Sequence, residues 1–381
     1  MSSSETLSGL NPQVAKTPSV RAAKMELIEA ARALAALVVV LMHAANLMNV
    51  QHFSGHVGMN RVFDFGYVGV DFFFVLSGFI ITYVHFADIG NAAAIPKYLW
   101  RRVARIYPIY WFMLALSVLA VSAGRLVLGK GMGLDMGTGD ILSTVFLVIG
   151  QGEPKYVGVA WSLQYEILFY LAFCILLAHA RLGVALFSVW ALWVAGSALG
   201  WIELTLPLSL GNAHCLQFLM GVAVGAAARR FSIPAPARWF WIALAALVAA
   251  IWFEVYGPLE RHSAAGRFAL GVASALVLLA LVGLEQRGVM SPPRWLTKLG
   301  SVSYSIYLGH ILIISLTYSL LLKLGIYHAL PEVLVYLIGV GAAIFATLVI
   351  GVLVELPLVQ KSKDGWNALL RMGRPKAQAV H

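Results

Sequence analysis

The chain has 381 residues, of which 60% are hydrophobic and 12% are charged, and its mean hydropathy is +0.83. Soluble domains average about 45–50% apolar and about 25% charged residues, so this composition excludes a soluble globular domain. The net charge of +10 could suggest a nucleic-acid partner. Because lysine and arginine gather in the cytoplasmic loops of membrane proteins, we expect membrane lipid and no nucleic acid around this chain.

The apolar segments are about 20 residues long and lack two-residue alternation, which favours helices over a closed barrel. The predicted fold is therefore all-α, a polytopic membrane protein of about ten transmembrane helices with both termini cytoplasmic. The spans are predicted at residues 27–48, 66–86, 106–124, 160–179, 183–202, 211–228, 239–256, 267–284, 300–322 and 333–355. Residues 1–24 and 358–381 are interpreted as cytoplasmic tails around a transmembrane domain at 25–357.

The distribution of basic residues supports this topology. The predicted inner segments hold 19 lysines and arginines, the outer segments hold 7, and Arg32 lies within a span, which accounts for all 27. Residues 139–151 are apolar but too short to cross, and we interpret them as an outer interfacial or re-entrant segment. A cleavable signal peptide is the alternative for the first span, but no small-residue cleavage pattern follows it.

Ionisable residues within membrane spans are costly, so each is a functional hypothesis. Arg32 and His43 are eleven residues apart in the first span, which places them about 20° apart on one helix face and ~16 Å apart along the axis. Asp71 and Glu166 are expected at the depth of His43, near the outer ends of the second and fourth spans. A carboxylate beside a histidine suits a general base, although all three residues could instead satisfy helix contacts.

Two motifs lie between these residues. In the second span, Phe73, Phe74, Ser77 and Gly78 belong to FFVLSG, whose small residues either permit close helix packing or leave room for a narrow ligand. The following loop reads YLWRRVARIYP, in which Arg102 and Arg105 share a side of a helical turn. This basic loop either anchors the topology or binds a phosphate-bearing ligand.

Later in the chain, SYSIYLGH contains Tyr304 and His310, and Glu355 ends the last span with Arg32 as its expected partner. We expect supporting roles for these three residues. Cys174 and Cys215 form no CxxC pattern, and no metal site is indicated. P-loop, GxSxG and HExxH patterns are also absent from the sequence.

Taken together, these motifs resemble the acyltransferase-3 family of membrane proteins over about residues 25–360. The family's Arg-x10-His, FFxxSG, RxxR, WSLxxE and SYxxYLxH motifs are matched in order and on the expected helices. They begin at Arg32, Phe73, Arg102, Trp161 and Ser303, and WSLQYEILFY looks most like the exopolysaccharide-acetylating branch. This sequence has Glu29 and Ala30 where many members have Asp and Gly, and it lacks a further carboxylate after Glu166.

The resemblance implies transfer of an acyl group, commonly acetyl from acetyl-CoA, to a hydroxyl of a saccharide or lipid-linked glycan. It makes His43 the catalytic base or an acyl-relay residue and places Arg32, Arg102 and Arg105 on the CoA side. Direct transfer and transfer through a covalent acyl intermediate both remain open. The thioester would pass Phe73, Phe74, Ser77 and Gly78. Acyl-CoA would be a co-substrate, and no bound cofactor is expected.

Two other functions are compatible with buried charge. In a proton-coupled glycan transporter or flippase, His43, Asp71 and Glu166 would form a proton relay. The basic loop and the lack of a visible repeated half disfavour a transporter. A structural partner in polysaccharide export would not need charges at matched depth.

Overall fold

The structure is a computed structural model that describes residues 25–50, 53, 62–127, 129, 136–202 and 210–372. The predicted N-terminal tail and residues 373–381 lie outside the described residues. Within these ranges every regular element is helical, which confirms the all-α prediction. The helices are α1 Glu26–Met48, α2 Val68–His85, α3 Ile95–Val127, α4 Thr138–Phe146, α5 Trp161–Ala178, α6 Ala180–Ala198, α7 Ala213–Arg230, α8 Pro236–Val255, α9 Ala264–Arg287, α10 Arg294–Ser301, α11 Ser303–Lys323, α12 Glu332–Ile350 and α13 Leu356–Met372.

Nine helical segments of the described part are long and apolar enough to cross a membrane. They agree with nine of the ten predicted spans. The remaining predicted span, 211–228, is α7, whose 18 residues include the polar side chains of His214, Gln217, Arg229 and Arg230. These residues lower its hydropathy, but α7 packs against α2, α6 and α9 and so belongs to the same bundle. A multi-pass helical membrane protein is therefore confirmed, whereas the orientation of the termini stays a prediction.

Helices α2 and α7 make the most extensive contact in the bundle. A Cβ atom at Gly78 would collide with the backbone carbonyl of Phe218, and one at Gly221 would collide with that of Val75. Small residues allow helix backbones to approach closely, where van der Waals packing replaces the hydrophobic effect that lipid cannot supply. Gly78 is thus part of the α2–α7 contact.

The basic segment after α2 is helical. The prediction of a loop there is wrong, because α3 begins at Ile95 and continues through Pro108 to Val127 over 33 residues. Arg102 and Arg105 therefore lie on a helix, in the turn directly before the span predicted at residues 106–124. A helix fixes the direction of both guanidinium groups more firmly than a loop would.

The segment that was too short to cross forms the nine-residue helix α4 and the turn after it. Its carbonyl groups at Thr144, Val145 and Phe146 accept hydrogen bonds from Tyr110, Trp111 and Tyr107 of α3. The last-turn carbonyls of a helix have no partner within the helix. Side chains of α3 supply those partners, which fixes α4 against the bundle.

The last span does not stop where the sequence predicted. Helix α12 continues through a π-helical turn at Gly351–Glu355 into α13, which reaches Met372. The indole nitrogen of Trp100 on α3 donates a hydrogen bond to the carbonyl of Ser362 at 3.1 Å. This contact attaches α13 to the basic end of α3.

Candidate functional site

A cavity with an empty volume of about 770 Å³, its open mouth included, lies among α1, α2, α3, α5 and α11. Its polar wall contains Arg32, Arg102, Arg105 and Glu166. Phe73, Phe74 and Ser77 of α2 line it as well, together with Tyr170, Tyr304 and Tyr307. We call this space the arginine cavity. It brings together most of the residues that the motifs singled out.

Carboxylates surround the guanidinium groups of this cavity. Arg32 forms an ion pair with Glu29 at 3.3 Å, and the charges of Glu166 and Glu355 also attract Arg32 and Arg105. Buried charges are tolerated when they are paired. The expectation that Glu166 would lie beside His43 is wrong, because α5 directs its carboxylate towards the arginines.

Arg102 is held by aromatic rings. Its guanidinium carbon lies 5.9 Å from the centre of the Tyr98 ring and 5.7 Å from that of Tyr170, within the range of a cation–π contact. Tyr170 also donates a hydrogen bond to Glu166. The Nε of Arg102 and the hydroxyl of Tyr304 are buried without a hydrogen-bond partner. Unpaired buried polar groups are costly, so a ligand that accepts a hydrogen bond from the Arg102 Nε–H or bonds to the Tyr304 hydroxyl would remove that cost.

The π turn positions Glu355 beside this cavity. Its carboxylate accepts hydrogen bonds from the backbone nitrogen of Ser305 at 3.0 Å and from the Ser305 hydroxyl at 2.7 Å. Two such bonds orient the negative charge near Arg32 and Arg105. Glu355 thus has the predicted partner, Arg32, as an electrostatic neighbour, while Ser305 supplies its hydrogen bonds.

A second cavity contains His43. It is lined by Met42, His43, Tyr67, Val70, Val159, Trp161, His262, Arg267 and Tyr307, and we call it the histidine cavity. Arg32 and His43 lie on one face of α1 as predicted, each lining its own cavity. Within the described part of the chain, Val70 and Tyr307 alone line both cavities.

His43 is paired with a second histidine. Its Nδ1 lies 3.2 Å from the Nε2 of His310 and 3.0 Å from the carbonyl of Val39. The Nδ1 of His310 lies 3.0 Å from the carbonyl of Ile306. Since a carbonyl only accepts, the neutral form of His310 carries its proton on Nδ1, and its Nε2 accepts from His43. His43 then carries its own proton on Nδ1, which leaves its Nε2 able to accept a proton.

Asp71 belongs to a different cluster from the one we expected. It is fully buried, and its carboxylate accepts hydrogen bonds from Arg267 and Gln217, each at 2.6 Å, with His214 at 3.8 Å. These bonds join α2, α7 and α9. The prediction that Asp71 lies beside His43 and Glu166 is therefore wrong, since each of the three has other partners.

The position of Gly78 also differs from the expectation. Phe73, Phe74 and Ser77 line the arginine cavity, but Gly78 faces α7. The two interpretations of FFVLSG therefore apply to different residues. Ser77 borders space for a narrow ligand, whereas Gly78 allows close helix packing.

Sequence reasoning missed the polar group opposite Asp71. Arg267 was counted only as an outer-loop cation, yet its second nitrogen donates a hydrogen bond to the Nδ1 of His262 at 2.8 Å. Burial, together with the positive charge of Arg267, lowers the pKa of His262, which lies in the loop before α9. Arg267 lies in the first turn of α9, and its sequence context gave no signal that its side chain would point into the bundle.

Comparison with known proteins identifies the family. The chain is 26% identical to the exopolysaccharide production protein ExoZ of Rhizobium meliloti (strain 1021) over 323 residues, which cover 82% of this chain and 92% of that protein. No solved structure matches the chain significantly. The model of the acyltransferase domain of the acyltransferase-3 family matches residues 26–353, which include both cavities. The chain therefore belongs to the acyltransferase-3 family.

Proposed function

We propose that the protein is an O-acyltransferase of the bacterial cytoplasmic (inner) membrane. It moves an acyl group, in our proposal acetyl, from cytoplasmic acyl-CoA to a hydroxyl of an exopolysaccharide or of its lipid-linked precursor. The observation that carries this proposal is the adjacency of an arginine-lined cavity and a histidine-lined cavity. The similarity to an exopolysaccharide production protein supports the class of acceptor.

The arginine cavity suits the donor. CoA carries several phosphates, and guanidinium groups bind phosphate in a forked geometry. Arg32, Arg102 and Arg105 converge on one space, while Phe73 and Phe74 give the adjoining wall an apolar surface for the acyl arm. The cavity thus offers both parts of an acyl-CoA molecule a matching environment.

The histidine cavity suits the acceptor. His43 Nε2 would take the proton from the acceptor hydroxyl, whose oxygen then attacks the thioester carbonyl carbon. When the carbon–sulfur bond breaks, the CoA sulfur receives that proton, and the products are an ester and free CoA. The Val39 carbonyl and His310 Nε2 both lie within hydrogen-bond distance of His43 Nδ1, so they keep its proton there and leave Nε2 free. His310 thus acts as a positioning residue.

Transfer of labelled acetyl groups tests this function. Purified protein in lipid vesicles is supplied with labelled acetyl-CoA and with cell-envelope glycan from which ester groups have been removed by mild alkali. We expect label in the glycan, release of free CoA, and loss of both in His43→Ala. Movement of glycan across the vesicles without consumption of acetyl-CoA would instead establish the transporter.

The donor site is tested by binding. The double variant Arg102→Gln and Arg105→Gln should weaken acetyl-CoA affinity by at least tenfold, since each charge-assisted hydrogen bond contributes about 1.5–3 kcal/mol. Arg101→Gln is the matched control, because Arg101 lies on the same helix and is exposed to solvent. Equal acetyl-CoA affinities for the double variant and the control would show that Arg102 and Arg105 do not bind the donor and serve only to set the topology.

A further inference from the structure

Among the residues that the structure describes, one polar side chain lies at the boundary between the two cavities. Tyr307 lines both cavities, and Val70, the other shared residue, is apolar. In a direct transfer, the thioester carbonyl carbon must lie where the donor in one cavity meets the hydroxyl in the other. The Tyr307 hydroxyl can therefore serve as a hydrogen-bond donor to the carbonyl oxygen on which negative charge develops.

Packing holds the Tyr307 ring in place. The side chain is 7% exposed, and its ring centre lies 5.8 Å from that of Phe73 in an edge-on contact and 6.2 Å from that of His310. A donor that is already oriented stabilises a developing oxyanion without a cost of reorganisation at the moment of reaction. Packing thus fixes the orientation of the Tyr307 ring before any substrate binds.

The hydrogen bonds of Tyr307 allow its proton to be redirected. Its hydroxyl oxygen lies 2.9 Å from the Ser162 hydroxyl, which lies 3.0 Å from the carbonyl of Val159. In one arrangement Ser162 donates to Val159 and Tyr307 donates to Ser162. In the other, Ser162 donates to Tyr307, and the phenolic proton is left for the carbonyl of Val159, a long contact at 3.4 Å, or for an acceptor in the cavities. Changing between the two requires only rotation of hydroxyl hydrogens.

We propose that Tyr307 is a catalytic residue whose hydroxyl donates a hydrogen bond to the thioester carbonyl oxygen during transfer, and that Ser162 orients that hydroxyl. This inference rests on the proposed function. As the acceptor oxygen bonds to the carbonyl carbon, the electron pair of the carbon–oxygen double bond moves to the oxygen, which Tyr307 stabilises. The pair returns when the carbon–sulfur bond breaks, and the sulfur takes the proton held by His43.

The proposal separates Tyr307 from its neighbour one turn earlier. Tyr304 lines only the arginine cavity, so we expect its hydroxyl to contact the donor and not the acceptor. Tyr318, on the same helix, lines neither cavity; it is fully buried and donates a hydrogen bond to the carbonyl of Ala44 at 3.2 Å. Tyr318→Phe is therefore the matched control, since it removes a buried phenol from α11 outside the site.

Steady-state transfer of label from acetyl-CoA to de-esterified glycan tests the proposal in lipid vesicles. Loss of one oxyanion donor costs about 10²–10³-fold in kcat, so we expect that loss in Tyr307→Phe with an unchanged KM for acetyl-CoA. Tyr318→Phe should keep the parental kcat. Ser162→Ala should lose less than Tyr307→Phe, because the phenolic hydroxyl remains.

Three results would overturn the inference while leaving the proposed function intact. The first is a Tyr307→Phe variant that keeps the parental kcat. The second is a Tyr307→Phe variant whose loss of kcat/KM comes entirely from a higher KM. The third is a loss of kcat in Tyr307→Phe that equals the loss in Tyr318→Phe. A parent protein that consumes no acetyl-CoA would overturn the inference and the proposed function together. If Tyr307→Phe does not fold, fluorotyrosine introduced at position 307 keeps the shape and makes the hydroxyl more acidic. An unchanged kcat in that protein would likewise refute the role.

Discussion

The ion pair between Asp71 and Arg267 gives the sharpest prediction for stability. Replacing Arg267 by methionine removes the cation but leaves the carboxylate of Asp71, whose side chain is fully buried, 2.6 Å from the position of the lost nitrogen. Breaking a buried pair in this way costs about 3–5 kcal/mol, because the remaining charge is uncompensated. Gln217 keeps one hydrogen bond to Asp71, so we expect a loss near the lower end, about 3 kcal/mol.

The reverse substitution should cost less. Asp71→Asn keeps the size of the side chain and leaves the charge on Arg267, whose side chain is 14% exposed and can reach water more easily. In the double variant Asp71→Asn with Arg267→Met no buried charge remains. Its loss should therefore be smaller than the sum of the two single losses, with a coupling energy of at least about 1 kcal/mol.

Unfolding in mixed micelles, followed by helical circular dichroism, measures all four proteins. The double-mutant cycle isolates the pair from the other effects of each substitution. Additive losses, with a coupling energy below about 0.5 kcal/mol, would refute the view that this pair joins α2 to α9. Asp71 would then again be a candidate for a direct role in the reaction.

The remaining predictions concern packing, pH and the π turn. Gly78→Val forces a side chain into the backbone of α7, and we expect it to lower the free energy of unfolding by about 1–3 kcal/mol, measured as above; parental stability would refute the close contact. Lys155, which donates a hydrogen bond to Asp140 at 2.8 Å, holds the pKa of that carboxyl below its usual 3.8. Asp140→Asn should therefore lower the unfolding midpoint at pH 7. The midpoints of the variant and the parent should converge as the pH falls below 3.8, where Asp140 of the parent becomes protonated. A difference between the two midpoints that does not change with pH would contradict this. Ser305→Ala removes a hydroxyl bond to buried Glu355 and should cost about 1.5–3 kcal/mol of unfolding free energy; a loss below about 0.5 kcal/mol would show that the backbone bond suffices.

Much of the architecture could be predicted because lipid leaves few options. A span must be apolar, helical and about 20 residues long, so hydropathy located the nine long apolar segments of the described part of the chain, and α7 as well. Helix periodicity likewise placed Arg32 and His43 on one face. The extension of α3 to Ile95 was missed because its first turns carry charges that a hydropathy pattern assigns to a loop.

The grouping of the charged residues could not be predicted from depth. Position along a helix gives the height of a side chain, but rotation about the axis decides which neighbour it meets. Glu166 shares the depth expected for His43, yet α5 turns it towards the arginines. Arg267 and His310 supply the actual partners of Asp71 and His43 from helices far away in the chain.

The π turn at Gly351–Glu355 has a consequence for insertions and deletions. A π turn holds more residues than the α-helical turn it replaces, so deleting one residue there would restore regular winding. Because the turn fits one extra residue into nearly the same rotation and rise, the helix after such a deletion would keep its orientation, and Ser362 would stay beside Trp100. A deletion in the regular part of α12 would instead rotate everything after it by about 100°, the angle per residue of an α-helix, and would turn Glu355 away from Ser305. Length changes should therefore be tolerated in the loops, such as residues 257–263, and at the π turn, but not in the regular turns of α12.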